Sequence, residues 1–172
     1  MTIPVLETTR LRLRAHEIAD FEKSAAMWSH ETVTRFIGGK PSSREDSWRR
    51  FVNFRGSWAL LGFGYWLIEE KATGAYVGDS GFGAFKRDVG AHEFDAPEQG
   101  WALSPDMHGK GYATEACQAQ LDWAEKHFAR TDFVCLISDQ NQPSVRVAER
   151  LGYREFARTD YKGDPSILLR RP

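Results

Sequence analysis

The feature that most constrains this sequence is a glycine pair at the junction of a predicted strand and a predicted helix. A short strand over 99–103 leads into Gly109-Lys110-Gly111, and an amphipathic helix follows with apolar residues at steps of three or four from Ala113 to Phe128. Glycines at such a turn let a ligand approach the backbone, and a helix N-terminus offers unpaired N–H groups. The segment therefore predicts an anion site suited to a pyrophosphate, with a plain tight turn as the alternative.

Two common nucleotide-binding patterns do not fit this loop. The Walker pattern requires Ser or Thr directly after its Gly-Lys pair, and here Gly111 follows Lys110. The dinucleotide pattern GxGxxG lacks its third glycine, because Thr114 stands at that position. A nucleotide-binding domain is therefore only a minor alternative.

The rest of the chain predicts one α/β domain over residues 1–172. Arginine and apolar residues alternate over 10–15, which indicates a half-buried strand, and Ser43 with Asp46 is typical of a helix start. The apolar run 133–137 predicts a strand buried on both faces, and Gly152 is suited to end the following helix. The predicted order is strand, two helices, three strands, helix, strand, helix and a closing hairpin, which is an α/β layer architecture.

Charge and cysteine content argue against several classes of protein. Lys and Arg number 23 against 24 Asp and Glu, so a general binder of nucleic acid or anionic membranes is disfavoured. The longest uncharged stretch, 56–68, is too short to span a bilayer, and the first fourteen residues lack the apolar segment of a signal peptide. We therefore expect a cytoplasmic protein. Cys117 and Cys135 lack metal-ligand spacing, so we expect core positions for both and no metal.

Two segments resemble consecutive motifs of the GCN5-related N-acetyltransferases, the GNAT family. Residues 98–116, EQGWALSPDMHGKGYATEA, resemble the acetyl-CoA-binding motif, and residues 141–153, NQPSVRVAERLGY, resemble the motif that follows it. The opening ETTRLRLR, residues 7–14, is similar to the subfamily that includes the ribosomal-protein alanine N-acetyltransferases. The resemblance implies a GNAT fold, with a mixed, mostly antiparallel central sheet of about six to seven strands flanked by about four helices. It also implies acetyl-CoA as co-substrate.

The resemblance assigns cofactor contacts to residues of these motifs. Backbone groups of Trp101, Ala102 and Leu103 are expected to pair with the pantetheine arm as though it were an added strand. Asn141 is expected to contact the arm, and Ser144 to lie near the thiol. The pyrophosphate is expected to be held by backbone N–H groups of His108, Gly109, Lys110, Gly111, Tyr112 and Ala113.

Amine acetylation needs a neutral amine and a proton for the leaving thiolate. Glu98 matches a position where family members often carry a base, with a solvated loop carboxylate as the alternative. The family tyrosine that protonates the thiolate is replaced here by Ala148. In the alanine N-acetyltransferase subfamily that the chain resembles, a serine matching Ser144 is the candidate acid instead, with capping of the first helical turn as the alternative. Asp164 is the next candidate base.

Other conspicuous side chains have ordinary explanations beside functional ones. A surface or capping position is predicted for three histidines, His16, His30 and His127. Two others flank the predicted site, His92 and His108. Three tryptophans either line an acceptor pocket or pack in the core: Trp28, Trp48 and Trp58. Four carboxylates form either an acidic rim that favours a cationic amine or a solvated loop: Asp88, Glu93, Asp95 and Glu98.

The leading hypothesis is an acetyl-CoA-dependent N-acetyltransferase that acetylates a primary amine by direct transfer, as a monomer or a homodimer. The acceptor is either a protein N-terminal amine or a small-molecule amine. The alternative is a non-catalytic acyl-CoA-binding or sensor module of the same fold, which the missing tyrosine favours. Neither hypothesis requires nucleic acid, a membrane or a metal ion.

Overall fold

The computed structural model describes residues 2–172, in which eight strands form one mixed sheet. The strands are β1 (Leu6–Glu7), β2 (Leu11–Arg14), β3 (Tyr65–Glu70), β4 (Tyr76–Gly83), β5 (Glu98–Leu103), β6 (Phe133–Ser138), β7 (Arg154–Tyr161) and β8 (Asp164–Arg171). The α-helices are α1 (Phe21–Trp28), α2 (Glu31–Thr34), α3 (Arg44–Leu61), α4 (Tyr112–Phe128) and α5 (Gln142–Arg150). Two 3₁₀ turns, Ile18–Asp20 and Pro105–Met107, precede α1 and the glycine loop.

The strand order is β1-β2-β3-β4-β5-β6-β8-β7, and every neighbouring pair is antiparallel except β5 and β6. This parallel pair is joined at a single register position, with Glu98 opposite Val134. The Val134 amide donates to the Pro97 carbonyl at 3.2 Å, and no further paired position follows within residues 2–172. The two strands therefore diverge beyond Glu98, and they leave the backbone of 100–103 without a partner on that side.

Helices cover both faces of the sheet, and two adjacent residues of β4 show this directly. Asp79 accepts a hydrogen bond from Trp28 Nε1 of α1 at 2.8 Å. Ser80, pointing to the opposite face, donates to Gln120 Oε1 of α4 at 3.0 Å. The principal core lies between the sheet and the helices α4 and α5, and its fully buried members include Trp66, Phe82, Cys117, Leu121, Phe133 and Tyr153.

The long elements are confirmed, and the predicted counts are slightly low. Ser43 Oγ accepts from the Asp46 amide at 3.1 Å and begins α3, and Gly152 follows α5 with φ +90°. The structure has eight strands and five α-helices within residues 2–172, where about six to seven strands and about four helices were expected. A strand as short as β1 and a helix as short as α2 have too few residues to show a periodic pattern.

His16 contradicts its predicted surface position. Its side chain is fully buried, and Nε2 lies 2.8 Å from Asp79 Oδ1. The ring stacks on Phe54 at 5.0 Å. His30 does cap a helix as predicted, since its Nδ1 accepts from the Thr32 amide at 3.2 Å. No helix in residues 2–172 combines the length and the apolar character that crossing a membrane requires.

Candidate functional site

Two cavities lie where β5 and β6 diverge, and they meet over the free edge of β5. The first, which we call the loop cavity, has about 620 Å³ and extends along the glycine loop and α5. The second, which we call the inner cavity, has about 490 Å³ and extends toward Glu98 and the β7–β8 turn. Both cavities are lined by the same central residues, Arg35, Phe36, Ile37, Trp101, Ala102, Asn141 and Ser144. A molecule lying in one cavity can therefore meet a molecule in the other at this shared boundary.

The glycine loop presents free backbone groups to the loop cavity. Gly109 and Gly111 adopt left-handed backbone conformations, with φ +73° and +78°, which explains why glycine occupies both positions. Gly111 begins α4 without a side-chain cap, so the first N–H groups of the helix are not satisfied by such a cap. The amide of His108 is different, because it donates to the Pro105 carbonyl at 3.1 Å. The loop therefore offers anion contacts from Gly109 onward.

The N-terminal segment holds the glycine loop in place, which the sequence did not predict. Arg10 Nη1 donates to the Lys110 carbonyl at 2.9 Å, and its Nη2 forms an ion pair with Glu115 at 2.6 Å. Thr8 Oγ1 donates to the same carboxylate at 2.6 Å. The residues of the opening ETTRLRLR motif thus brace the loop from outside the cavity.

Helix α5 brings an amide and a hydroxyl to the boundary of the two cavities. Asn141 is the N-cap, and its Oδ1 accepts from the Ser144 amide at 3.3 Å. The Ser144 hydroxyl makes no hydrogen bond with any residue from 2 to 172, so the predicted capping alternative for Ser144 is wrong. Ala148, which replaces the family tyrosine, is fully buried in the core and has no hydroxyl to offer.

Glu98 is a buried carboxylate rather than a solvated one. Its side chain is 7% exposed, and both oxygens accept from Arg87, at 2.5 Å and 2.7 Å. The guanidinium of Arg87 lies between the rings of Phe85 and Tyr161, at 4.7 Å and 5.0 Å from their centroids. Burial raises the pKa of Glu98 above its ordinary value, and the ion pair with Arg87 opposes that rise.

Two further polar side chains line the inner cavity with Glu98. Asp164, the second candidate base, accepts a hydrogen bond from Ser138 Oγ at 3.2 Å. Tyr65 was not predicted, and its hydroxyl packs against Gly100 of β5. Tyr65 and Gly100 are 35 residues apart and belong to different strands, so no local sequence pattern links them.

Several predicted site residues lie elsewhere. The prediction of an acidic rim is wrong. Only one of its four carboxylates, Glu98, lines either cavity. Of the three tryptophans, Trp28 lines the inner cavity, Trp48 is exposed, and Trp58 packs in the core. His108 lines the loop cavity, whereas His92 lines neither. No group of His, Cys, Asp and Glu side chains that fits a metal ion occurs in the described part of the chain.

Comparison with known proteins gives a consistent result. Residues 10–154 match the family model of the acetyltransferase (GNAT) domain. The uncharacterized N-acetyltransferase YnaD of Bacillus subtilis is 28% identical over 149 residues, which are 87% of this chain and 82% of the relative. A solved structure from Bordetella pertussis, assigned to the GNAT-family acetyltransferases, is 31% identical with a TM-score of 0.86, and the match covers 99% of this chain and 100% of that one.

Two more distant structures share the fold. The ribosomal-protein-S5-alanine acetyltransferase of Vibrio fischeri is 16% identical with a TM-score of 0.74, over 98% of this chain and 96% of that one. The spermidine N-acetyltransferase of Vibrio cholerae, solved with CoA and spermine, is 15% identical with a TM-score of 0.71, over 95% and 94%. At these identities the likeness concerns the fold alone.

Proposed function

This chain belongs to the GNAT family of acetyltransferases, and on that basis we propose that it transfers an acetyl group from acetyl-CoA to a primary amine by direct attack. The observation that carries the proposal is the meeting of the two cavities beside the unpaired edge of β5. Acetyl-CoA occupies the loop cavity, and the acceptor amine enters through the inner cavity. Holding both reactants at one boundary supplies the proximity that direct transfer requires.

The loop cavity fits the cofactor at both of its ends. The backbone of Trp101–Leu103 pairs with the pantetheine arm, because β6 has diverged and left that edge free. The N–H groups from Gly109 to Ala113 bind the pyrophosphate at the positive end of α4. An added Cβ at Gly109 would meet no protein atom within 4 Å, so the space above the loop is open for the phosphates. Asn141 contacts the arm from the start of α5.

Glu98 and Ser144 carry the two proton transfers of the reaction. The carboxylate of Glu98 takes a proton from the acceptor ammonium, directly or through a water molecule, and leaves a neutral amine. The amine then forms the C–N bond as the C–S bond of the thioester breaks, and the acylated nitrogen gives up a second proton to solvent, which leaves the neutral amide. Ser144 donates its hydroxyl proton to the departing thiolate and regains one from solvent. Its hydroxyl suits this role because it is free of other hydrogen bonds in residues 2–172.

The acceptor is either a protein N-terminal amine or a small-molecule amine. The fold relatives include one protein acetylating a ribosomal protein and one acetylating spermidine. The inner cavity is lined by carboxylates and by cations, namely Glu98 and Asp164 together with Arg35, Arg87 and Lys162. The charge of the cavity is therefore not the acidic surface that a polyamine would require.

Thiol release from acetyl-CoA tests this function. We expect release to depend on an amine when alanine- and serine-initiated peptides, free amino acids and spermidine are supplied. Glu98→Gln should lower kcat/KM by roughly 10² to 10⁴ with little change in CoA affinity, and the loss should shrink as the pH approaches the pKa of the amine. A chain that binds CoA but releases no thiol with any acceptor would instead be the acyl-CoA sensor.

A further inference from the structure

Tyr65 places its hydroxyl directly over the backbone of β5. A Cβ built on Gly100 would lie 2.1 Å from the hydroxyl oxygen, which is closer than any real side chain permits. The hydroxyl therefore occupies the volume that every other residue at position 100 would fill. This pairing of a tyrosine on β3 with a glycine on β5 brings a polar atom to the inner wall of the site.

The position of this hydroxyl is fixed by packing. The ring of Tyr65 stacks on Phe54, with centroids 4.8 Å apart and planes 6° from parallel. The ring of Phe85 lies at 68° to it, with the centroids 6.3 Å apart. The backbone is held as well, because the Tyr65 carbonyl accepts a hydrogen bond from Trp58 Nε1 at 2.9 Å. An atom held in this way is already oriented before a ligand arrives.

No hydrogen bond within the described part of the protein explains why a hydroxyl is buried here. It makes no hydrogen bond with any residue from 2 to 172, although it lines the inner cavity. Glu98 lies two residues before Gly100 on β5, so its side chain leaves the same face of the strand. Burial and the charge of Glu98 both raise the pKa of Tyr65, so the hydroxyl stays neutral. A neutral hydroxyl can accept hydrogen bonds as well as donate one.

We propose that the Tyr65 hydroxyl orients the acceptor amine by accepting one of its N–H groups beside Glu98. This role rests on the proposed acetyl transfer. Once Glu98 has taken a proton from the ammonium, the neutral amine keeps two N–H groups and one lone pair. Holding one N–H at the Tyr65 oxygen directs the lone pair toward the thioester carbon. No bond to Tyr65 forms or breaks, and its own proton does not move.

Two unreactive analogues test this role without knowledge of the natural acceptor. The methylamide and the methyl ester of S-carboxymethyl-CoA place either an N–H group or an oxygen where the acceptor nitrogen would lie. Calorimetric titration should show that the wild-type protein binds the amide about fivefold to tenfold more tightly than the ester, since only the amide donates a hydrogen bond. Tyr65→Phe keeps the stacked ring and should reduce this preference to less than about twofold, with an unchanged melting temperature.

Tyr76→Phe is the matched control. The hydroxyl of Tyr76 is also buried, but it lies beside Ser24 and Asp79 and lines neither cavity. This variant should keep the full preference for the amide. Gly100→Ala places a methyl group where the hydroxyl lies, so it should lose the preference, and adding Tyr65→Phe should cause no further loss.

The outcomes separate the orienting role from its premise. An amide preference that survives Tyr65→Phe would overturn the role, as would a wild-type protein that binds amide and ester equally. If Tyr65→Phe lowers the affinity for both analogues equally, the residue only shapes the cavity, and the orienting role is overturned as well. If neither analogue binds the wild-type protein, the proposed acetyl transfer itself fails.

Discussion

Arg87 lies between two aromatic rings and holds both oxygens of Glu98, so it governs the basicity of the candidate base. Burial disfavours the charged carboxylate, and the guanidinium favours it. Because burial is the larger effect, the pKa of Glu98 lies above its ordinary value. A raised pKa makes the carboxylate of Glu98 a better proton acceptor than a solvated one.

Replacing Arg87 should change the pH dependence of catalysis. In Arg87→Met only burial acts on Glu98, so its pKa rises further and the acidic limb of the kcat/KM profile should move to higher pH. Arg87→Lys keeps the charge and should move the limb less. The control is Arg130→Met, which breaks an ion pair with Asp132 outside both cavities and should leave the limb in place. An unmoved limb in Arg87→Met would exclude Glu98 as the titrating base.

The same shift affects stability. A carboxyl group whose pKa is raised by folding stabilises the folded state at low pH, and that contribution is lost as the pH rises through the raised pKa. We therefore expect Glu98→Gln to lessen the decline in the free energy of unfolding between mildly acidic and neutral pH. Urea denaturation at a series of pH values measures this effect. A parallel decline in the wild-type protein and the variant would contradict the raised pKa.

Ser144→Ala should slow the reaction without rescue by pH. The thiolate leaves after the amine has attacked, so a more basic medium does not replace the lost proton donor. We expect kcat to fall by a factor of about 10² or less, with CoA affinity almost unchanged. The comparison is Glu98→Gln, whose defect shrinks at high pH. Full activity in Ser144→Ala would assign protonation of the thiolate to solvent.

Motif positions identified residues that lie together at the candidate site, whereas a residue with a distant partner was misplaced. Glu98, Asn141 and Ser144 were identified from motif positions, and all three line the inner cavity. His16 was misplaced because its partner, Asp79, lies 63 residues away, and periodicity does not report which polar pairs are buried together. Only the tertiary structure shows that such a pair is buried together.

Among the elements, the glycine loop depends on the turn between β1 and β2, which is remote from it in sequence. Arg10 follows β1 and joins the loop to α4 by contacting the Lys110 carbonyl and the Glu115 carboxylate. Its guanidinium also lies 4.5 Å from the ring centroid of Tyr112, the first residue of α4. The loop is therefore held by contacts outside the cavity, and if it binds the cofactor as proposed, this reduces the entropy lost on binding.

Arg10→Ala should accordingly weaken cofactor binding although Arg10 lines neither cavity. We expect the Kd for CoA to rise about fivefold to twentyfold because the loop is no longer held in advance. Arg12→Ala is the matched control, since Arg12 belongs to the neighbouring strand and pairs with Glu7 instead. Titration calorimetry of both variants measures the difference. Equal affinities in the two variants would show that the loop keeps its conformation unaided.

The elements themselves were mostly predictable because most are long and strongly patterned. Helix α4 and strand β6 were predicted within a residue or two from apolar spacing alone. The divergence of β5 from β6 was not visible in any local pattern, because it depends on how few register positions the two strands share. A free backbone edge at residues 101–103 was expected only through the resemblance to a family.

At the scale of the whole molecule, the proposed cofactor and acceptor have separate cavities, so we expect acetyl-CoA to bind and stabilise the fold without an acceptor. A ligand that binds only the folded state stabilises it by RT ln(1 + [L]/Kd), or about 2.7 kcal/mol at one hundred times Kd. For a domain of this size that corresponds to a rise in Tm of roughly 5–11 °C. Thermal denaturation with acetyl-CoA measures the rise, and adenosine alone should produce little. No shift at millimolar acetyl-CoA would contradict the assignment of the loop cavity.

Gly111→Val shows whether this stabilisation comes from the glycine loop. Gly111 has φ +78°, a conformation that a β-branched residue adopts only with strain, so the unliganded variant should melt somewhat earlier. Within the protein a Cβ there would meet only Arg10, at 3.6 Å, so the side chain has room until a phosphate approaches the backbone. We therefore expect acetyl-CoA to raise the Tm of the variant by much less than that of the wild-type protein. An undiminished rise would mean that the loop is an ordinary turn and that the pyrophosphate lies elsewhere.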